Sequence, residues 1–306
     1  MNAFMRMLST TALMLVACGP GARDPGATFD GGPDASAVGT RDASGQPSID
    51  APDNGCAGVP NCESVYAHSN DTLYVVDLTT TSLTSIGPFQ APSAGSGSSA
   101  APDIITDLAV APDGTIWVVS ETALYTASAT DGHVTLKGSL SACGTRGVAL
   151  TFTPNGKLYT GDFKGAICEI DTSGTTPVVK PAIRLSGGMA LSGDMVAIGN
   201  GTVFGTLYKL SDASAHGTQL SNVLGSIDVA NGQVTLLGAT GYPKLFGTSF
   251  AHGKVIGFTH DGTGRVVQLD PSTGAGTLLA TFNDPLTAKP ISFAGAGVNA
   301  LVSIIQ

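Results

Sequence analysis

Charge is scarce in this sequence. Asp, Glu, Lys and Arg make up 12% of its 306 residues, about half the usual share of a soluble chain. Glutamate is rarer still, with only Glu63, Glu121 and Glu169. The net charge is −9 and no basic cluster occurs, which argues against a nucleic-acid partner. There is no C-x-x-C pair, no H-E-x-x-H, no G-x-S-x-G elbow and no P-loop, so the common local signatures of metal, hydrolase and nucleotide chemistry are missing. Gly156-Lys157 ends like a P-loop, but Leu158 follows it and Thr151 stands where the first glycine belongs.

What replaces charge is glycine, 41 residues of it, with many Ser, Thr and β-branched positions. That composition suits a turn-rich all-β chain, whose surface polarity comes from hydroxyls, amides and backbone.

The chain divides into three parts. Residues 1–17 hold Arg6 and an apolar run from Ala12 to Ala17. The run is too short for a stable membrane span and reads as a secretory signal. It ends Leu15-Val16-Ala17-Cys18. This resembles the lipobox of bacterial lipoproteins, in which small residues precede a cysteine. The resemblance implies cleavage before Cys18, a diacylglyceryl thioether on its sulfur and no other cofactor. The expected localisation is lipid-anchored, at the outer membrane or cell surface of a Gram-negative bacterium. By the same likeness, Gly19 rather than Asp after the cysteine argues against inner-membrane retention. Residues 18–62 form the second part. Up to Gly55 it is a Gly, Pro, Asp, Ala and Ser tract with Phe29, Val38 and Ile49 as its large apolar residues. It has too little apolar surface to fold and reads as a tether.

With Cys18 set aside, Cys56, Cys62, Cys143 and Cys168 remain. An even number in an exported chain points to two disulfides. Three connectivities are possible, of which Cys56–Cys62 with Cys143–Cys168 is the most local. A metal site is the weaker alternative, since the histidines are scattered.

From Glu63 to Gln306 a four-strand unit recurs. Its clearest copy covers 245–282, with turns at His252-Gly253, His260-Asp261-Gly262 and Asp270-Pro271-Ser272-Thr273-Gly274. Inner strands are expected at 106–111, 147–152, 187–191 and 246–251, and second strands at 115–119, 157–160, 195–198 and 254–258. Third strands are expected at 73–78, 123–126, 167–171, 207–210 and 266–270, often ending in Asp. Repeats of about 40–50 residues built from four strands indicate a β-propeller. Residues 291–298 look like an inner strand without its blade, and 65–89 like a blade without its inner strand. Pairing them would close the ring. The expected count is five blades. A possible outer hairpin at 226–237 and the long interval 193–253 keep six as the alternative.

Ala111-Pro112-Asp113-Gly114-Thr115-Ile116-Trp117, Thr153-Pro154-Asn155-Gly156-Lys157-Leu158-Tyr159 and Leu269-Asp270-Pro271-Ser272-Thr273-Gly274 resemble the NHL, YVTN and quinoprotein-like bacterial propellers. The resemblance implies the fold and little about function, because these pieces are turns.

Chemistry is hard to place on such a frame. Lactonohydrolase-like propellers hold a divalent cation with Glu, Asn and Asp at inner strands, and none of the three Glu falls there. Propeller glycosidases need paired carboxylates. Asp107 is on an expected inner strand with Asp103 just before it, and no second carboxylate is expected across the axis. Asp194 falls in the expected turn Ser192-Gly193-Asp194, and His68, His133, His216, His252 and His260 fall in or near turns. No catalytic residue and no metal ligand is assigned. Four cations, Arg146, Arg184, Lys244 and Lys289, lie in segments that feed inner strands, with Tyr242 in a Gly-Tyr-Pro stretch on the same expected face. Such a rim would suit an anionic protein or glycan ligand; four unrelated surface charges are the plainer reading. The expectation is a non-catalytic binding or scaffolding propeller, with a hydrolase or lyase at the channel mouth as the alternative.

Overall fold

The computed structural model describes residues 56–90, 104–143, 146–215 and 221–302. Cys18, the tether 19–55, Asp103 and His216 lie outside these residues. Twenty-one short strands form five sheets. The first sheet contains β1 (Val65–His68), β2 (Thr72–Asp77) and β3 (Ser82–Pro88). The second contains β4 (Ile105–Val110), β5 (Ile116–Ser120), β6 (Ala123–Ala127) and β7 (Val134–Ser139). The third contains β8 (Ala149–Phe152), β9 (Leu158–Gly161), β10 (Ala166–Asp171) and two short pieces, β11 (Val178–Val179) and β12 (Ile183–Arg184). The fourth contains β13 (Met189–Ala197), β14 (Val203–Lys209), β15 (Ser221–Asp228) and β16 (Gln233–Pro243). The fifth contains β17 (Leu245–Ala251), β18 (Lys254–Thr259), β19 (Arg265–Leu269) and β20 (Gly276–Thr281).

The last strand, β21 (Gly295–Gly297), returns to the first sheet. It pairs antiparallel with β1, Tyr66 opposite Gly297 and His68 opposite Gly295. The ring is thus closed by its two ends, and the fold is a five-bladed all-β propeller. The paired part of β21 is shorter than the expected 291–298.

Burial falls from the axis outward. In the fifth blade β17 and β18 are almost wholly buried, whereas every residue of β20 is partly or fully exposed. An inner strand is covered on both faces by neighbouring blades, so it reads as a continuous apolar run. Phe258, Phe282 and Phe293 pack edge-to-face between the fifth and first blades, at 5.2 and 6.4 Å. Such aromatic pairs add about 0.5–1.5 kcal/mol beyond area burial. The Asp that ends so many third strands also has a reason. Asp77, Asp171, Asp228 and Asp270 each accept backbone N–H groups from the turn that follows. This is an Asx turn, and Ser128 supplies the same contact in the second blade.

The fourth blade differs from expectation. Residues 187–191 and 195–198 are not two strands around a turn. They belong mostly to one inner strand, β13, bulged between Leu191 and Met195. The second strand is therefore β14, and the suspected extra hairpin 226–237 is the outer half of this blade. The long interval is one ordinary blade with long outer strands, which removes the six-bladed alternative.

Two disulfides are present, as expected, and they take the most local of the three connectivities, Cys56–Cys62 and Cys143–Cys168. The second ties the segment leading into β8 to β10.

Candidate functional site

An inner strand pairs on one side only. Its other edge presents unbonded N–H groups to the propeller axis, where water is excluded, and these need acceptors. Side chains of the neighbouring blade supply them. Asp107 Oδ2 accepts the N–H of Leu150 at 2.6 Å. Thr151 Oγ1 accepts that of Ala197 at 3.0 Å. Asp194 Oδ2 accepts that of Thr248 at 2.7 Å. Each bond joins one blade to the next, from the second to the fifth. The segment after β21 joins the first blade to the second, with Asn299 Nδ2 donating to the Ala111 carbonyl at 2.7 Å.

Bulges aim these side chains. The inner strands of the second, fourth and fifth blades break register near their starts, at Ile105/Asp107, Leu191/Met195 and Leu245/Gly247. A bulge turns a residue that would lie in the sheet toward another direction. In the fourth blade it includes Ser192, Gly193 and Asp194 and carries Asp194 to full burial. Gly193 is required there, because a Cβ would stand 2.2 Å from the Leu245 carbonyl oxygen.

Three titratable groups meet at the axis. Asp107, Asp194 and His68 are all fully buried. Burial, then the Asp194 charge and its hydrogen bond, push Asp107 well above an ordinary carboxyl. Burial also raises Asp194, to about 7, against the pull of hydrogen bonds from Asp107, Thr248 and Met195. The Thr248 contribution comes from its N–H, since its Oγ1 has no partner of good geometry. Burial thus favours the neutral form of both acids, and the nearby Asp194 charge adds to this at Asp107. Burial lowers His68 to about 4, so the imidazole is neutral at neutral pH. Its Nδ1 lies 2.6 Å from the Ser69 carbonyl, which can only accept, so Nδ1 carries the hydrogen. That leaves Nε2 with a bare lone pair. Both Nε2 and Asp107 Oδ1 are buried without a partner. Each is 2.4 Å from where a Cβ on Gly295 would stand, so the two atoms are at most twice that distance apart.

The inner strands approach one another closely at two glycines. A Cβ on Gly247 would meet the backbone of Gly295, and one on Gly297 would meet Leu108. At one end the segment after β21 lies across the strand turns. Val110 and Asn299 form a bridge there, and Gly199 donates to the Val302 carbonyl at 3.2 Å. The Cys56–Cys62 loop packs beside it, with the Pro60 carbonyl 3.1 Å from the Cβ position of Gly114. A groove of about 930 Å³ runs between that loop, Asp77–Thr79 and His252. Among the described residues, no group of three or more His, Cys, Asp or Glu is disposed to hold a metal ion.

Each expected rim residue has its own surroundings. Arg146 is exposed and ion-paired with Glu121 at 2.9 Å. Arg184 lies on β12 rather than in a loop, and its Nη1 donates to the Lys164 carbonyl at 2.7 Å. Lys289 is exposed and Lys244 half-buried, with a positive φ of 51° at Lys244. Tyr242 lies in β16, half-buried, with the Arg265 guanidinium 5.3 Å from its ring centre. It packs as much as it presents.

One expectation is corrected at the axis. A second carboxylate does face Asp107, because Asp194 belongs to a bulge and not to a solvent turn. His68 ends β1 beside a turn, as expected, and is fully buried there. The signal in the sequence was slight. Asp194 is followed by Met195-Val196-Ala197-Ile198, an apolar run long enough to place it inside a strand. Nothing marked His68, which became axial only when β21 paired beside it.

No protein-family model matches this chain, and no curated protein matches it. Among solved structures, it is similar to a chain of the nidogen–laminin complex, with 13% identity and a TM-score of 0.43 over 76% of this chain and 97% of that one. It is similar also to virginiamycin B lyase from Staphylococcus aureus, with 13% identity and a TM-score of 0.39 over 74% and 68% of the two chains. A streptogramin B lyase structure gives 12% identity and a TM-score of 0.39 over 74% and 71%.

Proposed function

We propose that this chain is a lipid-anchored propeller of the bacterial envelope that acts as a non-catalytic binding or scaffolding module. The observation that carries this reading is the burial of the axial acids. Asp107 and Asp194 are fully buried and hydrogen-bonded to the next blades, where they hold the frame together rather than face a substrate. Recognition then belongs to loops on a rigid scaffold. The cationic set Arg146, Arg184, Lys244 and Lys289, with Tyr242, suits an anionic protein or glycan surface. The Arg146–Glu121 pair is exposed and so weakly held that a ligand can replace it. The thioether on Cys18 and the tether 19–55 would hold this frame off the outer membrane or cell surface.

The test is crosslinking on intact cells expressing the full chain, followed by the same experiment with all four cations reversed to Glu. Loss of the crosslinked species supports the rim, and unchanged capture removes it. Changing Cys18→Ser should move the protein from the membrane to the soluble fraction. Continued membrane association would remove the anchor.

A second reading is a hydrolase or lyase, favoured by one observation. Two carboxyls with separated proton affinities stand beside a neutral imidazole, an arrangement that can divide acid and base roles. Asp194→Asn separates the readings. Under the binding reading it leaves capture intact in folded protein, whereas under the enzymatic one turnover of any identified substrate stops.

A further inference from the structure

We propose that His68, Asp107 and Asp194 share one proton as a pH-sensitive lock on the propeller axis, tight while the proton is held and loosened when it leaves for solvent. The inference rests first on placement. The three side chains come from the first, second and fourth blades, and the two Asp also bond the backbone of the third and fifth. One cluster therefore touches every blade.

It rests next on hydrogen-bond accounting. Nδ1 of His68 has its hydrogen committed to the Ser69 carbonyl, so Nε2 can only accept. Asp194 already accepts the N–H groups of Thr248 and Met195, at 2.7 and 2.5 Å, which suit an anion. Asp107 stands between, with Oδ1 unpartnered and directed at the same point beside Gly295 as His68 Nε2. A proton on Asp107 satisfies either neighbour. Without it, two carboxylates and a lone pair face one another in a dry space, where repulsion is strong.

No opposing charge offsets that. The buried polar side chains of β8 and β17 include the uncharged Thr151, Thr248 and Ser249, and β21 contributes only glycine and alanine. From the loop after β18, half-buried His260 acts on His68 with a like-charge effect. No ion pair among the described residues includes Asp107 or Asp194.

The sign follows from linkage. Asp107 and Asp194 bind protons more tightly folded than unfolded, so the stability they contribute is complete in acid and is lost as pH rises through their folded values. Asp194 completes that loss near its value of about 7, and Asp107 above it. His68 works the other way. Its value falls from 6.5 to about 4, so its effect is complete above 6.5. Above neutrality the acid pair alone remains.

The experiment is urea unfolding of the folded chain from about pH 7 to about pH 9, for the parent and for Asp107→Asn, in which an amide hydrogen replaces the labile proton. With one extra proton held by the folded state, the folding equilibrium constant should fall by up to about tenfold per pH unit in the parent. The Asn variant should be flat over that range. Parallel profiles, or a flat parent, overturn the proposal. If the variant does not fold, infrared spectroscopy of the parent decides: the carbonyl band of one un-ionised carboxylic acid should persist at neutral pH. Its absence overturns the lock, as does an equimolar bound metal that resists chelation.

Discussion

The fourth and fifth blades have the same topology and opposite legibility. In the fifth, Leu245–Ala251, Lys254–Thr259, Arg265–Leu269 and Gly276–Thr281 follow one another with short polar turns, and each polar cluster is a turn. In the fourth, the first polar cluster, Ser192-Gly193-Asp194, is a bulge directed at the axis. The lesson is that polarity interrupts an inner strand for two reasons. One is to meet solvent, the other to meet the unpaired backbone of a neighbouring blade. Local composition is the same in both cases.

That comparison is tested most severely at glycine. Gly193→Ala should cost about 3 kcal/mol or more in urea unfolding, because backbone stands in the new Cβ position. Gly201, in a true turn of the same blade, has a φ of 86° and open space around its Cβ position. Gly201→Ala should cost only about 1 kcal/mol, from left-handed backbone strain. Equal costs would mean that residues 192–194 are a turn after all.

The next contrast is between polar side chains. Asp194→Ala removes the acceptor for two buried N–H groups and should cost about 2 kcal/mol. Ser249→Ala on the inner strand of the fifth blade should change stability by less than about 0.5 kcal/mol, since its hydroxyl is buried without a partner. A large loss at Ser249 would show that its hydroxyl carries weight equal to that of the carboxylate.

A last effect is one of shape, read in the pH profile. Between 4 and 6.5, His68 makes stability rise with pH, because its value falls from 6.5 unfolded to about 4 folded. Asp194, raised from 3.8 to about 7, and Asp107, raised well above 3.8, make stability fall with pH over the same interval. His68 opposes them. His68→Gln should steepen the fall, by up to about tenfold in the folding equilibrium per pH unit. The surface carboxylates Asp77, Asp171 and Asp270 are held low by turn hydrogen bonds and contribute only at more acid pH. An unchanged profile in the variant would remove His68 from the axial balance.

Much of the frame was readable because its causes are local. Third strands end in Asp where an Asx turn follows, and Pro-Asp-Gly and Pro-Asn-Gly announce inner hairpins. The incomplete ends were readable as halves of one blade, and β21 does pair with β1. The axial cluster was not readable. His68, Asp107 and Asp194 lie far apart in the chain, on strands that meet only after five blades close. No periodicity links residues whose only relation is to one axis.

By itself, the sequence determined a turn-rich all-β repeat, the closure of its ring by the two ends and a set of cysteines sufficient for two disulfides, since period, turn chemistry and composition are legible along the chain. Only the tertiary structure decided that Ser192-Gly193-Asp194 is a bulge and that His68 is buried beside Asp107. The physical reason is that an inner strand's free edge finds its hydrogen-bond partners in another blade. Whether a polar residue faces water or that edge depends on a neighbour that may lie anywhere in the chain.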